Sequence, residues 1–369
     1  MTALLPEGLR DRLPPQAEAA AAMLRAALDA IRAHGYERVA PPLAEYEESL
    51  AGRLKAGTAR DLLRVVDPLS QRTLALRPDI TTQVGRIAAT RLAHRPRPLR
   101  LSYGGPVVKL RASQLRPERE MTQIGAELIG RDSAAAAAEI VALAVEALSA
   151  AGGTGITVDL TLPDLVETLA AGPLPLAADQ VASVRALLDA KDAGGLSAAG
   201  AASYLPLIEA AGPFADAIER LRRIDAGGAL ASRLAALETV AARLAGVATV
   251  TLDPTERHGF EYQSWLGFSL FAEGLAGEVG RGGAYTILHE DGREEPAIGF
   301  SLYPDPLLDR IEREEPVRRL FLPLGHDPAA AARLRSEGWI TVAALDEDCS
   351  DPAATHRLGP NGPEPIRRS

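Results

Sequence analysis

Strand-length apolar runs occur in two blocks of this chain, at 36–43, 71–77, 99–103, 121–129 and 155–162, then again at 247–252, 261–271, 284–288 and 297–302. Between the blocks, from about 172 to 246, the pattern changes. Ala, Leu, Arg and Asp recur there at helical spacing, broken by Gly194-Gly195 and Gly212-Pro213, with almost no β-branched clusters. Such a chain folds as one sheet interrupted by a helical insertion. Two further helices flank the first block. In 16–34, Leu24, Leu28 and Ile31 share a face and Gly35 stands where a helix closes. A second helix, 134–150, follows Ser133 as N-cap. Pro41-Pro42 confine the strand 36–43 to an edge or an interface. Short runs bounded by turn residues make the class α+β, with a mainly antiparallel sheet flanked by helices.

The sheet domain is expected to span 1–315, closing with a helix near 307–314. Beyond Pro316 the pattern reads strand 320–324, helix 328–337 and strand 340–344, a short C-terminal βαβ unit, followed by a polar tail from 346. The boundaries are 1–315 and 316–369. A unit this short buries little by itself and is expected to lean on the main domain.

Charge and cysteine content narrow the function classes. The 40 basic and 49 acidic side chains leave a net charge of −9, whereas binding to a phosphate backbone draws on clustered Lys and Arg, so nucleic acid is a disfavoured partner. Cys349 is the single cysteine and can form no internal disulfide. With no legible signal peptide and no apolar run near the roughly 20 residues needed to span a bilayer, a cytoplasmic protein free of membrane is expected. The six histidines (34, 94, 258, 289, 326, 356) lack metal-ligand spacing, and Gly280-Arg281-Gly282-Gly283 does not match a phosphate loop, so no metal and no cofactor are expected.

What rises above background is a set of polar residues inside strands that otherwise read as buried. Asp79 and Thr81 follow Leu76-Arg77-Pro78. Gln123, Gly125 and Glu127 alternate along one strand and so share a face, with the glycine expected to leave room for a ligand. Glu261 and Tyr262 follow Arg257-His258-Gly259. Buried carboxylates need a cation or several hydrogen bonds, because burying one unpaired is expensive. A small zwitterion satisfies such a site, and so does an internal salt-bridge network.

In their order these residues resemble the catalytic domain of histidyl-tRNA synthetase, a class II aminoacyl-tRNA synthetase, over roughly residues 5–310. Pro6, Gly8 and Asp11 are similar to its opening segment, and 35–42 to motif 1, which in the family forms the dimer interface. Leu76-Arg77-Pro78-Asp79 resembles Leu-Arg-Pro-Glu, 100–109 leads into motif 2, and Gln123 through Glu127 resembles the Gln-x-Gly-x-Glu that grips histidine. Gly259-Phe260-Glu261-Tyr262 and Gly282-Gly283-Ala284-Tyr285 resemble the two histidine motifs, and 296–300 the start of motif 3. The departures fall on ATP contacts. Pro306 stands where an arginine holds the γ-phosphate, Lys109 where an arginine meets the α-phosphate, and Arg111 where a glutamate reads adenine. His258 and Ala284 replace arginines, and Thr286 an aspartate. The short unit after Pro316 takes the place of the anticodon-binding domain.

This combination is similar to one branch of the fold, the regulatory subunits of ATP phosphoribosyltransferase. The resemblance implies a non-catalytic chain that assembles with a short-form catalytic subunit into a hetero-oligomer, an octamer of four plus four. It also implies a homodimer through the synthetase-like domain and L-histidine as allosteric ligand in histidine biosynthesis. Asp79, Thr81, Lys109, Gln123, Glu127, His258, Tyr262 and Tyr285 would line the pocket, with Asp79 and Glu127 on the ammonium. The alternatives are a divergent amino-acid-activating enzyme of the same fold and a scaffold with a vestigial pocket.

Overall fold

A computed structural model describes residues 5–51, 62–110, 118–225, 227–257, 263–310 and 318–366. In chain order the elements are α1 (Gln16–Ala33), β1 (Glu37–Arg38), β2 (Ala44–Tyr46), α2 (Glu47–Ala51), β3 (Leu63–Val66), β4 (Thr73–Leu76), α3 (Thr81–Ala89), β5 (Leu99–Val108) and β6 (Glu120–Ile129). They continue with α4 (Ala134–Ala150), β7 (Thr157–Thr161), α5 (Leu165–Ala170), α6 (Val181–Asp189), α7 (Ala193–Ala198), a 3₁₀ helix (Ala202–Ala210), β8 (Gly212–Pro213), α8 (Phe214–Ile224), α9 (Ala231–Leu244) and β9 (Thr249–Leu252). Last come β10 (Gln263–Phe271), β11 (Gly280–Leu288), β12 (Glu294–Leu302), a 3₁₀ helix (Asp305–Arg310), β13 (Arg319–Leu322), α10 (Pro328–Ser336), β14 (Ile340–Ala343), β15 (His356–Gly359) and β16 (Gly362–Pro365).

Nine strands form one sheet in the order β1-β5-β6-β12-β11-β10-β7-β9-β8, antiparallel except for β1 against β5 and β7 against β9. The parallel β7/β9 pair is what the insertion makes possible, because the chain between them must cross over and return. The insertion is not wholly helical. Its Gly212–Pro213 segment extends the sheet edge, and its Val184, Leu188, Tyr204, Leu221 and Leu237 join the core beneath the sheet.

α4 carries that core. Ser133 accepts a hydrogen bond from the Ala136 N–H at the helix start, and Ile140, Val141, Leu143, Val145 and Leu148 are all at most 1 % exposed. A helix apolar on nearly every side must be enclosed, and α4 packs on β6, β12, α1 and α9. On the opposite face a second cluster joins Val84 and Ala88 of α3 to Leu101, Tyr103, Ile129, Tyr285 and Ile287, and a small sheet β2-β4-β3 lies beside α3 in sequence.

The structure departs locally from the sequence reading. Only Glu37–Arg38 of the run 36–43 is a strand, because Pro41-Pro42 carry no N–H groups to extend the ladder beyond the Val39 bond to Ser102. The expected helix near 307–314 is a 3₁₀ turn, Asp305–Arg310, and its remainder lies outside the described residues.

Residues 311–369 form a second compact unit, distinct from 1–310. Its sheet runs β14-β13-β15-β16 around Leu320, Leu322 and Ala331. The segment read as a polar tail supplies β15 and β16. Among its described residues Leu358 is the large apolar side chain packed on that cluster, and its prolines are tolerated because β16 is an edge strand.

Candidate functional site

β6 presents Gln123, Gly125 and Glu127 to the face that carries α3, as alternation along a strand requires. Gln123 is fully buried. Its Nε2 donates to Asp79 Oδ2 and to Ser301 Oγ, both at 2.7 Å, and its Oε1 accepts the Ile80 N–H at 2.8 Å. With both amide hydrogens engaged, Gln123 fixes Asp79 at the start of α3. Thr81, the first residue of that helix, bonds Tyr103 through its hydroxyl at 2.9 Å.

Glu127, 1 % exposed, is gripped from two strands. Tyr103 OH of β5 donates to Oε1 at 3.0 Å and Tyr285 OH of β11 donates to Oε2 at 2.8 Å. Tyr103 OH also lies 3.1 Å from Ser301 Oγ and 3.3 Å from the Phe300 carbonyl. One network therefore links Asp79, Gln123, Ser301, Thr81, Tyr103, Glu127 and Tyr285. Its members come from β5, β6, β11, β12 and the start of α3.

Among the described residues neither carboxylate has an ion pair. Burial accordingly raises the Asp79 pKa against its bond from Gln123 and the N–H groups of Thr81 and Thr82. Burial also raises Glu127 to about 8, outweighing the bonds from Tyr285 and Tyr103 that favour the charge. Tyr103 is pushed far above its usual value by burial and by the Glu127 charge. At neutral pH Glu127 is thus held protonated. A shift from 4.5 to about 8 corresponds to roughly 5 kcal/mol, an energy that a cation seated between the carboxylates could recover.

Glycine shapes the site differently from the sequence reading. The space beside Gly125 is filled by the Tyr103 ring, against which a Cβ at 125 would collide, so Gly125 admits the tyrosine and leaves no room for a ligand there. Gly299, paired with Glu127 across β6/β12, is required in turn because a Cβ there would fall on the Glu127 carboxylate.

Five of the eight expected residues, Asp79, Thr81, Gln123, Glu127 and Tyr285, come together in this network. Lys109 does not. It is exposed, eight residues along β5 from Leu101, the position opposite Glu127, roughly 26 Å away at about 3.3 Å per residue. Its Nζ lies 5.9 Å from the Tyr303 ring centre. His258 and Tyr262 lie outside the described residues, as does Arg111. Sequence reasoning missed Tyr103 and Ser301. Each stands opposite Gly125 on a neighbouring strand, a pairing visible only once the register is known.

Further along the same face, beyond Met121, Pro306 lines a cavity of about 370 Å³ with Glu118, Tyr303, Asp305, Asp309 and Arg310. Asp305 Oδ2 accepts from Arg12 Nη2 at 2.5 Å and from the Thr122 N–H at 2.9 Å. Of the cavity's arginines, Arg10 lies 3.4 Å from Glu118, and Arg310 donates to the Glu273 carbonyl. Among the described residues carboxylates outnumber cations along this wall, the reverse of what a triphosphate needs.

The sequence profile of histidyl-tRNA synthetases matches residues 8–307. ATP phosphoribosyltransferase regulatory subunits of Paramagnetospirillum magneticum and Rhodospirillum centenum are each 44 % identical to this chain, over 98 % and 97 % of it and 97 % and 93 % of their own lengths. A Bacillus halodurans structure described as an ATP phosphoribosyltransferase regulatory subunit/histidyl-tRNA synthetase superposes with a TM-score of 0.79 at 24 % identity, covering 95 % of this chain and 94 % of its own. Histidyl-tRNA synthetase from Nostoc sp. PCC 7120 gives a TM-score of 0.77 at 16 % identity, covering 95 % and 87 %. These two structures share the fold. No helix among the described residues is long and apolar enough to cross a membrane.

Proposed function

The chain belongs to the family of ATP phosphoribosyltransferase regulatory subunits, built on the histidyl-tRNA synthetase fold, and from that membership we propose that it is a non-catalytic subunit that activates a short-form catalytic partner and senses histidine. The single observation that carries the ligand reading is the pair of carboxylates, buried Glu127 and half-buried Asp79, held by hydrogen bonds and without an ion pair among the described residues. The α-ammonium of L-histidine supplies the missing cation. Tyr285 and Thr81 orient the remainder, and Gln123 acts by holding Asp79.

Lack of catalysis is supported by the ATP side of the face, where Pro306 offers no donor and carboxylates crowd the cavity. The assembly expected is a cytoplasmic hetero-octamer of four plus four chains, in which copies of this chain pair as homodimers through the synthetase-like domain. Histidine then acts by linkage: it shifts the assembly towards the state that binds it better, and a coupling of about 1–3 kcal/mol changes activity several-fold to a hundredfold.

The test is a phosphoribosyltransferase assay of the short catalytic subunit from the same organism, with and without this chain, followed by titration with L-histidine. Activity that appears on mixing, and that histidine suppresses with the wild-type chain but not with Glu127→Ala, is the expected result. No effect on mixing refutes the regulatory reading. Histidine-dependent exchange of pyrophosphate into ATP by the isolated chain would establish the activating enzyme instead.

A further inference from the structure

The ammonium of a bound amino acid has Asp79 and Glu127 to meet it. The carboxylate hangs from the same carbon, so it needs a cation beside them. Arg77 follows β4 and stands two residues before Asp79. Its main chain is pinned on both sides: its N–H donates to the Leu43 carbonyl at 3.0 Å, and its carbonyl accepts the Val108 N–H at 3.0 Å. The side chain is buried, with the residue only 5 % exposed. Among the described residues it makes no ion pair, because Glu45 is taken by Arg86 and Asp79 is held by Gln123. Burial pulls its pKa down and the Asp79 and Glu45 charges pull it up, and a guanidinium keeps its proton through such a contest.

A guanidinium carries five N–H donors in one plane. Nε donates to the Pro106 carbonyl at 2.8 Å and Nη1 to the Pro41 carbonyl at 2.9 Å, and these two bonds fix the plane. Nη2 has no hydrogen-bond partner among the described residues. It lies 2.6 Å from where a Cβ on Gly105 would stand. Gly105 pairs with Gln123 across β5 and β6, and paired residues turn to one face of a sheet with their Cβ atoms roughly 5 Å apart. Nη2 therefore comes up beside Gln123, on the face where Gln123 holds Asp79, and the missing side chain at 105 is what admits it. A buried cation left without an anion is costly, and a ligand that brings one removes the cost.

We infer that Arg77 receives the carboxylate of the bound amino acid through Nη2, with Asp79 taking the ammonium beside it. The assignment rests on the histidine reading above and makes it sharper: the site selects a free α-carboxylate and discriminates against the amine that lacks one.

The test is calorimetric titration of the full-length chain with L-histidine and with histamine, which keeps the imidazole and the ammonium and lacks the carboxylate. Wild type, Arg77→Met, Gly105→Ala and Glu127→Ala are compared, with melting temperatures measured alongside. Wild type should bind L-histidine about ten- to a hundredfold more tightly than histamine, the range for hydrogen bonds to a charged group. Arg77→Met should bring L-histidine down to the level of histamine and leave histamine affinity unchanged. Gly105→Ala sets a Cβ against Nη2 and keeps every charge, so it should narrow the gap in the same direction, and it serves where the methionine variant does not fold. Glu127→Ala should weaken both ligands alike. Equal wild-type affinities for the two ligands overturn the assignment and leave the histidine reading standing. So does a gap that survives in both Arg77→Met and Gly105→Ala, or a loss of both ligands by the same factor in Arg77→Met, which is what a purely structural arginine would give. A wild type that binds neither ligand overturns the histidine reading and this assignment with it.

Discussion

Replacing Glu127 by Gln asks whether the site is built around a carboxyl group kept neutral. In the folded chain this group titrates near 8, against 4.5 for the free side chain, because burial disfavours the charge more than Tyr285 and Tyr103 favour it. A folded-state pKa above the unfolded one means that the folded chain binds the proton more tightly. The side chain therefore costs nothing below about pH 4.5, costs more as pH rises, and reaches its full penalty above about 8. Each unit is about 1.4 kcal/mol, so at pH 7, about 2.5 units above the unfolded value, Glu127 costs roughly 3 kcal/mol. Gln removes the titration and keeps the shape. Its amide oxygen can accept from Tyr285 OH as Glu127 Oε2 does, and its N–H can donate to the Tyr103 oxygen, whose own hydroxyl turns to the Phe300 carbonyl at 3.3 Å. The assay is urea unfolding between about pH 5 and 9, read by Trp265 fluorescence in a Trp339→Phe background, because the two tryptophans lie in different units. The two proteins should be nearly equal in stability at pH 5, with Glu127→Gln ahead by roughly 3 kcal/mol at pH 7. A difference that does not change with pH, or a variant less stable at pH 8, refutes the reasoning.

Histidine binding should release a proton from Glu127 below about pH 8, since a bound ammonium lowers the carboxyl pKa. Affinity should then rise with pH up to that value, as calorimetry in buffers of different ionisation enthalpy will show. Tyr285→Phe removes the 2.8 Å bond to Glu127 Oε2 and should weaken histidine binding about five- to tenfold, corresponding to the roughly 1 kcal/mol of one buried hydrogen bond. Gly299→Ala places a methyl on the Glu127 carboxylate and should abolish binding while costing about 3 kcal/mol of stability in thermal unfolding. Ser133→Ala removes the cap of α4 and should lower stability by about 1 kcal/mol with histidine affinity unchanged.

The helices and most strands are local in origin and could be read from the chain. α1 follows from its apolar spacing and the closing Gly35, α4 from its Ser133 cap, and β6 from its alternation, which also put Gln123 and Glu127 on one face. The hairpin β15–β16 was illegible, because Leu358 is its one large apolar anchor and its register comes from main-chain bonds to β13. Membership of the synthetase-like family was legible because the order of its motifs survives along the chain.

By itself the sequence determined the class, the interrupted sheet and which polar residues would be costly to bury. Only the tertiary structure decided how that cost is met. Tyr103 and Ser301 reach the site from strands remote in sequence, through a register that no local pattern encodes. The void beside Gly125 belongs to a tyrosine, and Lys109 ends far from Glu127. Lys191 meets Asp253 across 62 residues. Hydrogen-bond partners of buried groups are chosen by strand order and register, and those are properties of the assembled sheet, whose cohesion comes from the core beneath it.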